Sequence, residues 1–266
     1  MRLLTGPSVS IRSIVLLLAT IGLASALLGI HAVEGHAGSN DLETRLASES
    51  RPETDRARDP GRKPAAVVEF LGIGPGMTVM DLIAAGGYYT EVLSLAVGPK
   101  GRVIAQNPAF VLEFRDGAND KALTARLADD RLPNVERLDR EIEDLGIAPA
   151  SLDAVVTALN FHDVYNGRGP EAAQKMLETI HRLLKPGGVL GLIDHAGNPD
   201  NPDNEKLHRI DEKLAIETAR KAGFVVEATS DVLRHPEDDH TRFVFAEGMR
   251  GATDRFVLKL RKPPRS

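Results

Sequence analysis

The stretch that decides the fold is Val79-Met80-Asp81-Leu82-Ile83-Ala84-Ala85-Gly86-Gly87-Tyr88-Tyr89-Thr90. An apolar run that holds one acid, Asp81, gives way to small residues and then to residues that suit a helix. This order predicts a strand, a tight turn and a helix N-terminus, which is where open parallel sheets bind nucleotide-like ligands. Gly86 and Gly87 let a ligand approach the backbone because they carry no Cβ. Asp81 can accept hydrogen bonds from a ligand's hydroxyl or ammonium group.

Strands and helices alternate on both sides of this turn. The predicted strands cover residues 78–83, 102–106, 134–138, 153–159, 188–194, 224–229 and 255–261. The predicted helices cover residues 63–71, 88–97, 109–128, 170–184 and 205–222. Such alternation indicates a parallel sheet with helices on both faces. The last two strands have no helix between them, so they pair as neighbours only if they run antiparallel.

Composition bounds the class of protein. The 266 residues are 42% hydrophobic and 27% charged, which fits one α/β domain with an ordinary core. A net charge of -5, 4% aromatic residues and no Trp argue against a nucleic-acid partner. The chain has no Cys, which excludes disulfides, thiolate metal sites and a Cys nucleophile.

The N-terminal residues differ in character from the rest of the chain. Two arginines precede an apolar stretch over residues 14–30, and small residues follow up to Ala37. This pattern is typical of a secretory signal peptide, with cleavage after Ala37 or Ala32. We therefore expect residues 1–37 to be a signal peptide and the protein to be periplasmic or secreted. The alternative is an uncleaved anchor, since the apolar stretch approaches the length of a membrane span.

The rest of the chain divides into two parts. Residues 38–58 are polar and charged without apolar periodicity, which predicts a solvated linker. Residues 59–266 are predicted to form the folded domain. No feature of either part indicates a protein partner, and membrane contact is expected only through an uncleaved N-terminal segment.

Several landmarks together resemble the class I S-adenosylmethionine-dependent methyltransferases. They are Asp81 to Gly87, Ser151 to Val156, Leu184 to Leu190 and Lys221 to Phe224. The chain is further similar to a group of exported bacterial proteins classed as predicted methyltransferases. The motifs behind this second likeness are Arg62-Lys63-Pro64, Gly86 to Glu91, Asn160 to Asp163, Asp194-His195, His208 to Asp211, Ser230 to Arg234 and Thr253 to Val257.

The resemblance implies a Rossmann-like sheet of seven strands, mostly parallel with a C-terminal antiparallel pair, and S-adenosylmethionine as cofactor. The glycines of the family's cofactor turn fall here at Ile83, Ala85 and Gly87. Ala85, Gly86 and Gly87 are then expected beside the methionine part of the cofactor, with Asp81 at the strand end. Ile83 is β-branched, and we expect it to prolong the strand.

The resemblance also places contacts to the nucleoside part of the cofactor. The acid that usually accepts the ribose hydroxyls is replaced by Asn107, whose alternative role is a turn that opens the next helix. The acid that contacts adenine falls at Glu141, with Asp139 and Asp144 as alternatives. Asn160, after the fourth strand, completes the expected cofactor contacts.

The candidate chemistry lies at the ends of the fourth and fifth strands. His162 and Asp163 follow one of them, and Asp194-His195 ends the other. These strands are neighbours in this fold, so His162 and His195 are expected to face one cavity, where either imidazole could act as a base near neutral pH. Asp163 or Asp194 could orient an imidazole or bind an acceptor hydroxyl. The alternative is that both histidines only cap strand ends.

A metal site could be built from His162, Asp163, His195 and His208. No local ligand spacing supports it, so the sequence predicts no metal. The loop before His208-Arg209 is rich in Asn, Pro and Asp, and could form a rim for a substrate or simply a solvated helix start.

The predicted function is methyl transfer from S-adenosylmethionine to a small-molecule acceptor. The alternative is an exported, non-catalytic ligand-binding protein that keeps the fold, since the turn has lost two of its three glycines. A nicotinamide-dependent oxidoreductase is disfavoured, because the turn after Asp81 lacks the Gly-x-Gly-x-x-Gly pattern.

Overall fold

The computed structural model describes residues 41–264, so the predicted signal peptide at 1–37 lies outside the described residues. Seven strands form one sheet in the order β3-β2-β1-β4-β5-β7-β6. Their bounds are β1 Thr78–Leu82, β2 Arg102–Asn107, β3 Val135–Asp139, β4 Leu152–Ala158, β5 Leu184–His195, β6 Val225–Ser230 and β7 Arg255–Arg261. Strand β7 runs antiparallel to β5 and β6, and the other pairs are parallel. The predicted fold class is confirmed.

Helices cover both faces of this sheet. Their bounds are α1 over 41–46, α2 Glu53–Arg56, α3 Asp59–Arg62, α4 Pro64–Leu71, α5 Tyr88–Val97, α6 Ala109–Leu127, α7 Phe161–Arg168, α8 Pro170–Leu183, α9 Asn204–Leu207 and α10 Glu212–Lys221. Val79 faces the core beneath α4 and α5, while its neighbour Met80 faces the core beneath α8 and α10. The central strands are therefore buried on both sides and read as continuous apolar runs. Within residues 41–264, no helix is both long and apolar enough to cross a membrane.

The parallel register brings the functional segments to one edge of the sheet. Asp81 near the end of β1 pairs with Val156 of β4, and Ala158 of β4 pairs with Ile193 of β5. Because β7 is antiparallel, its first residue, Arg255, pairs with the last residue of β5. The segments that follow β1, β4 and β5 therefore meet the segment that precedes β7.

The described part of the expected linker is folded. Leu42 and Leu46 are buried in the core beneath α4 and α5. Asp55 is buried and forms an ion pair with Arg126 of α6, with 2.7 Å between the oxygen and nitrogen atoms. The expectation of a solvated linker does not hold for residues 41–58, because Leu42, Leu46 and Asp55 are buried against the rest of the domain.

Two of the differences from the predicted helices concern His162 and His208. The helix expected over 205–222 is interrupted, because His208 adopts a left-handed backbone conformation (φ 54°) and ends α9. Asp211 then caps α10 by accepting a hydrogen bond from the backbone N–H of Lys213. The sequence analysis also missed α7, which places His162 and Asp163 in the first turn of a helix rather than on a strand end.

Candidate active site

In the turn after β1, every second residue from 83 to 87 has a left-handed backbone conformation. The φ angles are 57° at Ile83, 50° at Ala85 and 83° at Gly87. These are the three positions at which the resemblance places glycines, so the turn keeps the conformation although two of the glycines are absent. A left-handed non-glycine residue costs about 1–3 kcal/mol, and such strain is concentrated at functional sites.

Two amide side chains from the end of β2 hold this turn in place. The Gln106 Oε1 accepts the backbone N–H of Ile83 at 3.1 Å. The Asn107 Oδ1 accepts the backbone N–H of Ala85 at 2.8 Å, and its Nδ2 donates to the Ala85 carbonyl at 3.1 Å. The expectation that Ile83 prolongs the strand is wrong, because its N–H bonds to a side chain and β1 ends at Leu82.

Asp81 is almost fully buried behind the turn. Its Oδ2 accepts a hydrogen bond from the Thr90 hydroxyl at 2.7 Å, which joins β1 to α5. Burial raises the pKa of Asp81 to about 6, although the bonds from Thr90 and the charge of Arg126 act in the opposite direction. The carboxylate is ionised near neutral pH at the end of β1.

The two glycines of the turn face α6. A Cβ on Gly87 would lie 2.9 Å from the Leu123 Cδ1, and one on Gly86 would lie 3.0 Å from the Ala122 Cβ. Glycine is needed here so that α6 can pack against the turn. From the sequence, these glycines were expected to allow close approach of a ligand. In the structure, their missing Cβ atoms leave room for helix packing.

The other predicted cofactor contacts occupy separate positions around the turn. Asn107 is fully buried, and its oxygen and nitrogen are both bonded to Ala85. The Asn160 Nδ2 donates to the Ile83 carbonyl at 3.2 Å and so holds the turn in place. The Glu141 carboxylate is exposed and accepts the N–H of Ala109 at 3.0 Å, close to the end of β2.

A buried carboxylate organises the second half of the site. Asp194 is completely buried, and its Oδ1 lies 2.7 Å from the Nδ1 of His162. Its Oδ2 accepts the backbone N–H of His162 at 2.8 Å, and Oδ1 also accepts the N–H of His195 at 2.7 Å. The prediction that Asp194 could orient an imidazole agrees with this geometry.

The outer nitrogen of His162 meets two further polar side chains. Its Nε2 lies 3.1 Å from the Asp163 Oδ1 and 3.2 Å from the His208 Nδ1. The His208 Nδ1 lies 3.0 Å from the same Asp163 oxygen. We call His162, Asp163 and His208 the polar triad; it joins α7 to the end of α9.

The two central histidines differ in charge. Burial by itself would lower the pKa of His162, but the Asp194 and Asp163 carboxylates outweigh it and raise that pKa to about 10. Burial and the positive charge of His162 lower the pKa of His195 well below its usual value. His195 is therefore the neutral imidazole near neutral pH, and His162 as placed here is protonated and unsuited to act as a base.

His195 lies beside the triad and faces the same region. The ring centroids of His162 and His195 are 6.0 Å apart, as expected for residues on neighbouring segments. Its side chain is buried, and its Nδ1 has no hydrogen-bond partner among the residues that the structure describes. A buried ring nitrogen without a partner is unusual, and it marks His195 as a candidate functional residue.

Aromatic side chains that the sequence analysis overlooked flank the triad. Phe243 and Phe245 are exposed, and their ring centroids lie 5.6 and 5.5 Å from that of His208. They belong to a segment before β7 that has no strand or helix periodicity. Only their position before the antiparallel strand could have suggested that they lie at this edge.

Comparison with known proteins agrees with this geometry. Residues 71–192 match a family model described as "Methyltransferase domain". The matched residues make up a little less than half of the chain, and over this stretch the chain is similar to methyltransferase domains. The match extends from the end of α4 into β5 and thus contains the turn, Asp81, Asn160 and His162. S-adenosylmethionine is the cofactor that such a domain implies.

Individual relatives point in the same direction. An uncharacterized methyltransferase of Synechocystis is 32% identical over 48% of this chain and 51% of its own length. A ubiquinone/menaquinone biosynthesis C-methyltransferase of Hydrogenovibrio crunogenus is 30% identical over 48% of this chain and 45% of its own. The chain thus spans about half the length of these curated relatives.

A solved structure supports the fold. The crystal structure of a SAM-dependent methyltransferase from Aquifex aeolicus has a TM-score of 0.57 and 21% identity, covering 84% of this chain and 98% of that one. At this identity the likeness concerns the fold alone. Membership of the exported bacterial group remains a prediction.

The strain in the turn can be tested by substitution. Ala85→Gly removes a left-handed alanine, so we expect it to leave the free energy of unfolding unchanged or to raise it by up to about 1 kcal/mol. Ala172→Gly is the matched control within helix α8, where the same change should lower that free energy by about 1 kcal/mol. Urea unfolding measures both. Equal destabilisation by the two substitutions would contradict the left-handed turn.

Proposed function

We propose that this protein transfers a methyl group from S-adenosylmethionine to a small-molecule acceptor at the carboxyl edge of its sheet. The observation that carries the proposal is the strained turn at 83–87, which Asn160 connects to the segment bearing His162. Strain held by dedicated hydrogen bonds serves no evident packing purpose at Ala85, which is partly exposed. A turn that receives the cofactor explains why it is maintained.

Some of the side chains expected to contact S-adenosylmethionine are suitably placed, and one is not. Asp81 would hold the amino group of the methionine part, and Glu141 offers an exposed carboxylate for the nucleoside part. Asn107 does not fit the ribose contact expected of it, since its side chain is bonded to Ala85. Its role in the proposal is to hold the turn. S-adenosylmethionine supplies an electrophilic methyl group on a sulfonium when bound.

His195 is the proposed base that takes a proton from the methyl acceptor. An oxygen or nitrogen acceptor loses a proton as it is methylated, and a positioned base contributes to that step. The His195 Nδ1 is buried and unpartnered among the described residues, and the ring is neutral near neutral pH. Asp194 positions His162 and the backbone of His195, and so fixes where the acceptor can lie.

The acceptor proposed is a small molecule with an aromatic or other flat apolar part. Phe243 and Phe245 expose their rings next to His208, and their centroids are 5.2 Å apart. Exposed aromatic rings beside polar groups suit a ligand with an apolar body and a polar reacting atom. A panel of hydroxylated aromatic compounds and amines, with a labelled methyl donor, is the corresponding screen.

Substitution of Asp81 is expected to change cofactor affinity and protein stability in different ways. Asp81→Asn keeps an oxygen that can accept from Thr90 but removes the charge, so we expect affinity for S-adenosylmethionine to fall at least about tenfold. The raised pKa means that the wild-type carboxylate costs stability once the pH rises through about 6. At pH 8 the variant should be at least as stable as wild type.

Calorimetry with S-adenosylmethionine and with its demethylated product measures the affinities, and urea unfolding measures the stability. Wild-type protein that gives no heat at millimolar ligand would refute the cofactor proposal and favour a non-catalytic binding protein. Unchanged affinity in the variant would refute the assignment of Asp81.

The role of His195 predicts a specific kinetic change. We expect His195→Ala to lower turnover about 10²–10⁴-fold, the usual contribution of a general base, while cofactor affinity stays within a few-fold. His181→Ala, on helix α8, is the control and should leave turnover near normal. Near-normal turnover of the His195 variant on the acceptor found by screening would remove His195 from the mechanism.

We also propose that the protein is exported. The apolar stretch at 14–30 and the small residues up to Ala37 support this. The intact mass of natively produced protein is expected to correspond to a chain that starts after Ala37 or Ala32. A mature form that still begins at Met1 would contradict cleavage and favour a membrane anchor.

A further inference from the structure

The polar triad has the dimensions of a metal site. The His162 Nε2, Asp163 Oδ1 and His208 Nδ1 are separated pairwise by 3.1, 3.2 and 3.0 Å. A metal ion about 2.1 Å from each of three ligand atoms places those atoms about 3.0 Å apart at right angles and about 3.4 Å apart at tetrahedral angles. The observed triangle therefore matches one face of the coordination shell of a divalent ion.

The residue behind the triad supports the same interpretation. Asp194 holds the Nδ1 of His162 at 2.7 Å and the backbone N–H of the same residue at 2.8 Å. Its contacts lock the imidazole with Nε2 directed toward Asp163 and His208. A carboxylate on the far nitrogen of a ligating histidine is the usual companion of a protein metal site, because it fixes the ring and its tautomer.

The charges of the cluster call for a cation at its centre. When the Nδ1–H of His162 is donated to Asp194, a neutral ring presents a lone pair on Nε2. That lone pair lies 3.1 Å from a carboxylate oxygen of Asp163, so a proton or a metal ion must lie between the two acceptors. Without a metal, that position is taken by the proton that makes His162 cationic. A divalent ion would displace this proton, and its charge would balance the two carboxylates beside two neutral imidazoles.

The triad is also accessible from outside. A cleft reaches it, lined by Asp163, Asn166, Gly167, Glu205, Lys206 and His208. The side chains of His208 and Asp163 are 37% and 56% exposed, so a bound ion would keep open positions toward the cleft. His208 holds its place in the left-handed region at the end of α9, a costly conformation for a residue other than glycine.

We propose that His162, Asp163 and His208 bind a divalent first-row transition-metal ion, with Asp194 as the supporting carboxylate. Two imidazoles and one carboxylate suit zinc, cobalt, manganese or iron rather than calcium. Three protein ligands with open positions are typical of sites that bind a further ligand. The ligands come from two segments far apart in sequence, which is why the absence of local spacing was a poor guide. The proposal needs neither a methyl donor nor an acceptor.

Titration of the chelator-treated full chain with Co²⁺ tests the site. Calorimetry should give one ion per chain, and the Co²⁺ absorption bands should report nitrogen and oxygen ligands. We expect His208→Asn and Asp163→Asn each to weaken binding at least about 100-fold. Asparagine tolerates the left-handed backbone of residue 208 and matches the shape of Asp163.

Two further variants complete the design. Glu205 lines the same cleft without belonging to the triad. The Glu205→Gln variant should therefore bind Co²⁺ within about threefold of the wild-type affinity. Asp194→Asn should weaken binding about 10–100-fold, the usual effect of removing a supporting hydrogen bond. No binding at millimolar Co²⁺, or equal binding by wild type and both triad variants, would overturn the proposal and leave a cluster bridged by a proton. Because no methyl donor is present, this result is independent of the proposed function.

Discussion

The rest of the site depends on hydrogen bonds between the backbone of the turn at 83–87 and two side-chain amides at the end of β2. The side-chain oxygens of Gln106 and Asn107 accept the backbone N–H groups of Ile83 and Ala85, two residues in the left-handed region. A β-branched residue is held there only when surrounding contacts outweigh the strain. The turn ends β1 at Asp81-Leu82, starts α5 and leaves the Ile83 carbonyl free to accept from Asn160. The proposed cofactor turn and the segment that bears His162 are thereby joined through one hydrogen bond.

Asp194 has the corresponding role around His162 and His195, where we propose that the acceptor binds. One buried carboxylate binds the ring and backbone of His162 and the backbone of His195, so the ends of β4 and β5 are fixed to each other. The ring of His195 lies 6.0 Å from that of His162, so the polar triad and His195 are close neighbours. We propose His195 as the base for the acceptor, and His162, Asp163 and His208 as residues that would hold a metal ion close to it.

Local patterns were sufficient to predict the fold but only part of the site. Apolar periodicity identified the strands and the helices α4, α5, α6, α8 and α10, and the antiparallel ending follows from the missing helix before β7. The strain at Ile83 could not be predicted, because it depends on side chains of Gln106 and Asn107 from another strand. The sequence named His162, Asp163 and His208 as possible metal ligands but could not predict their contact. His208 meets His162 only through the left-handed end of α9, and neither residue carries a local signal for it.

A crystal structure of the full chain with the demethylated cofactor product tests the central claim most directly. We predict that the amino group of the product lies against Asp81 and the turn at 83–87, with Asn107 still bonded to Ala85. The sulfur should face the region between His195 and the polar triad. A ligand bound elsewhere, or a turn that leaves the left-handed region at Ile83 and Ala85, would contradict the account.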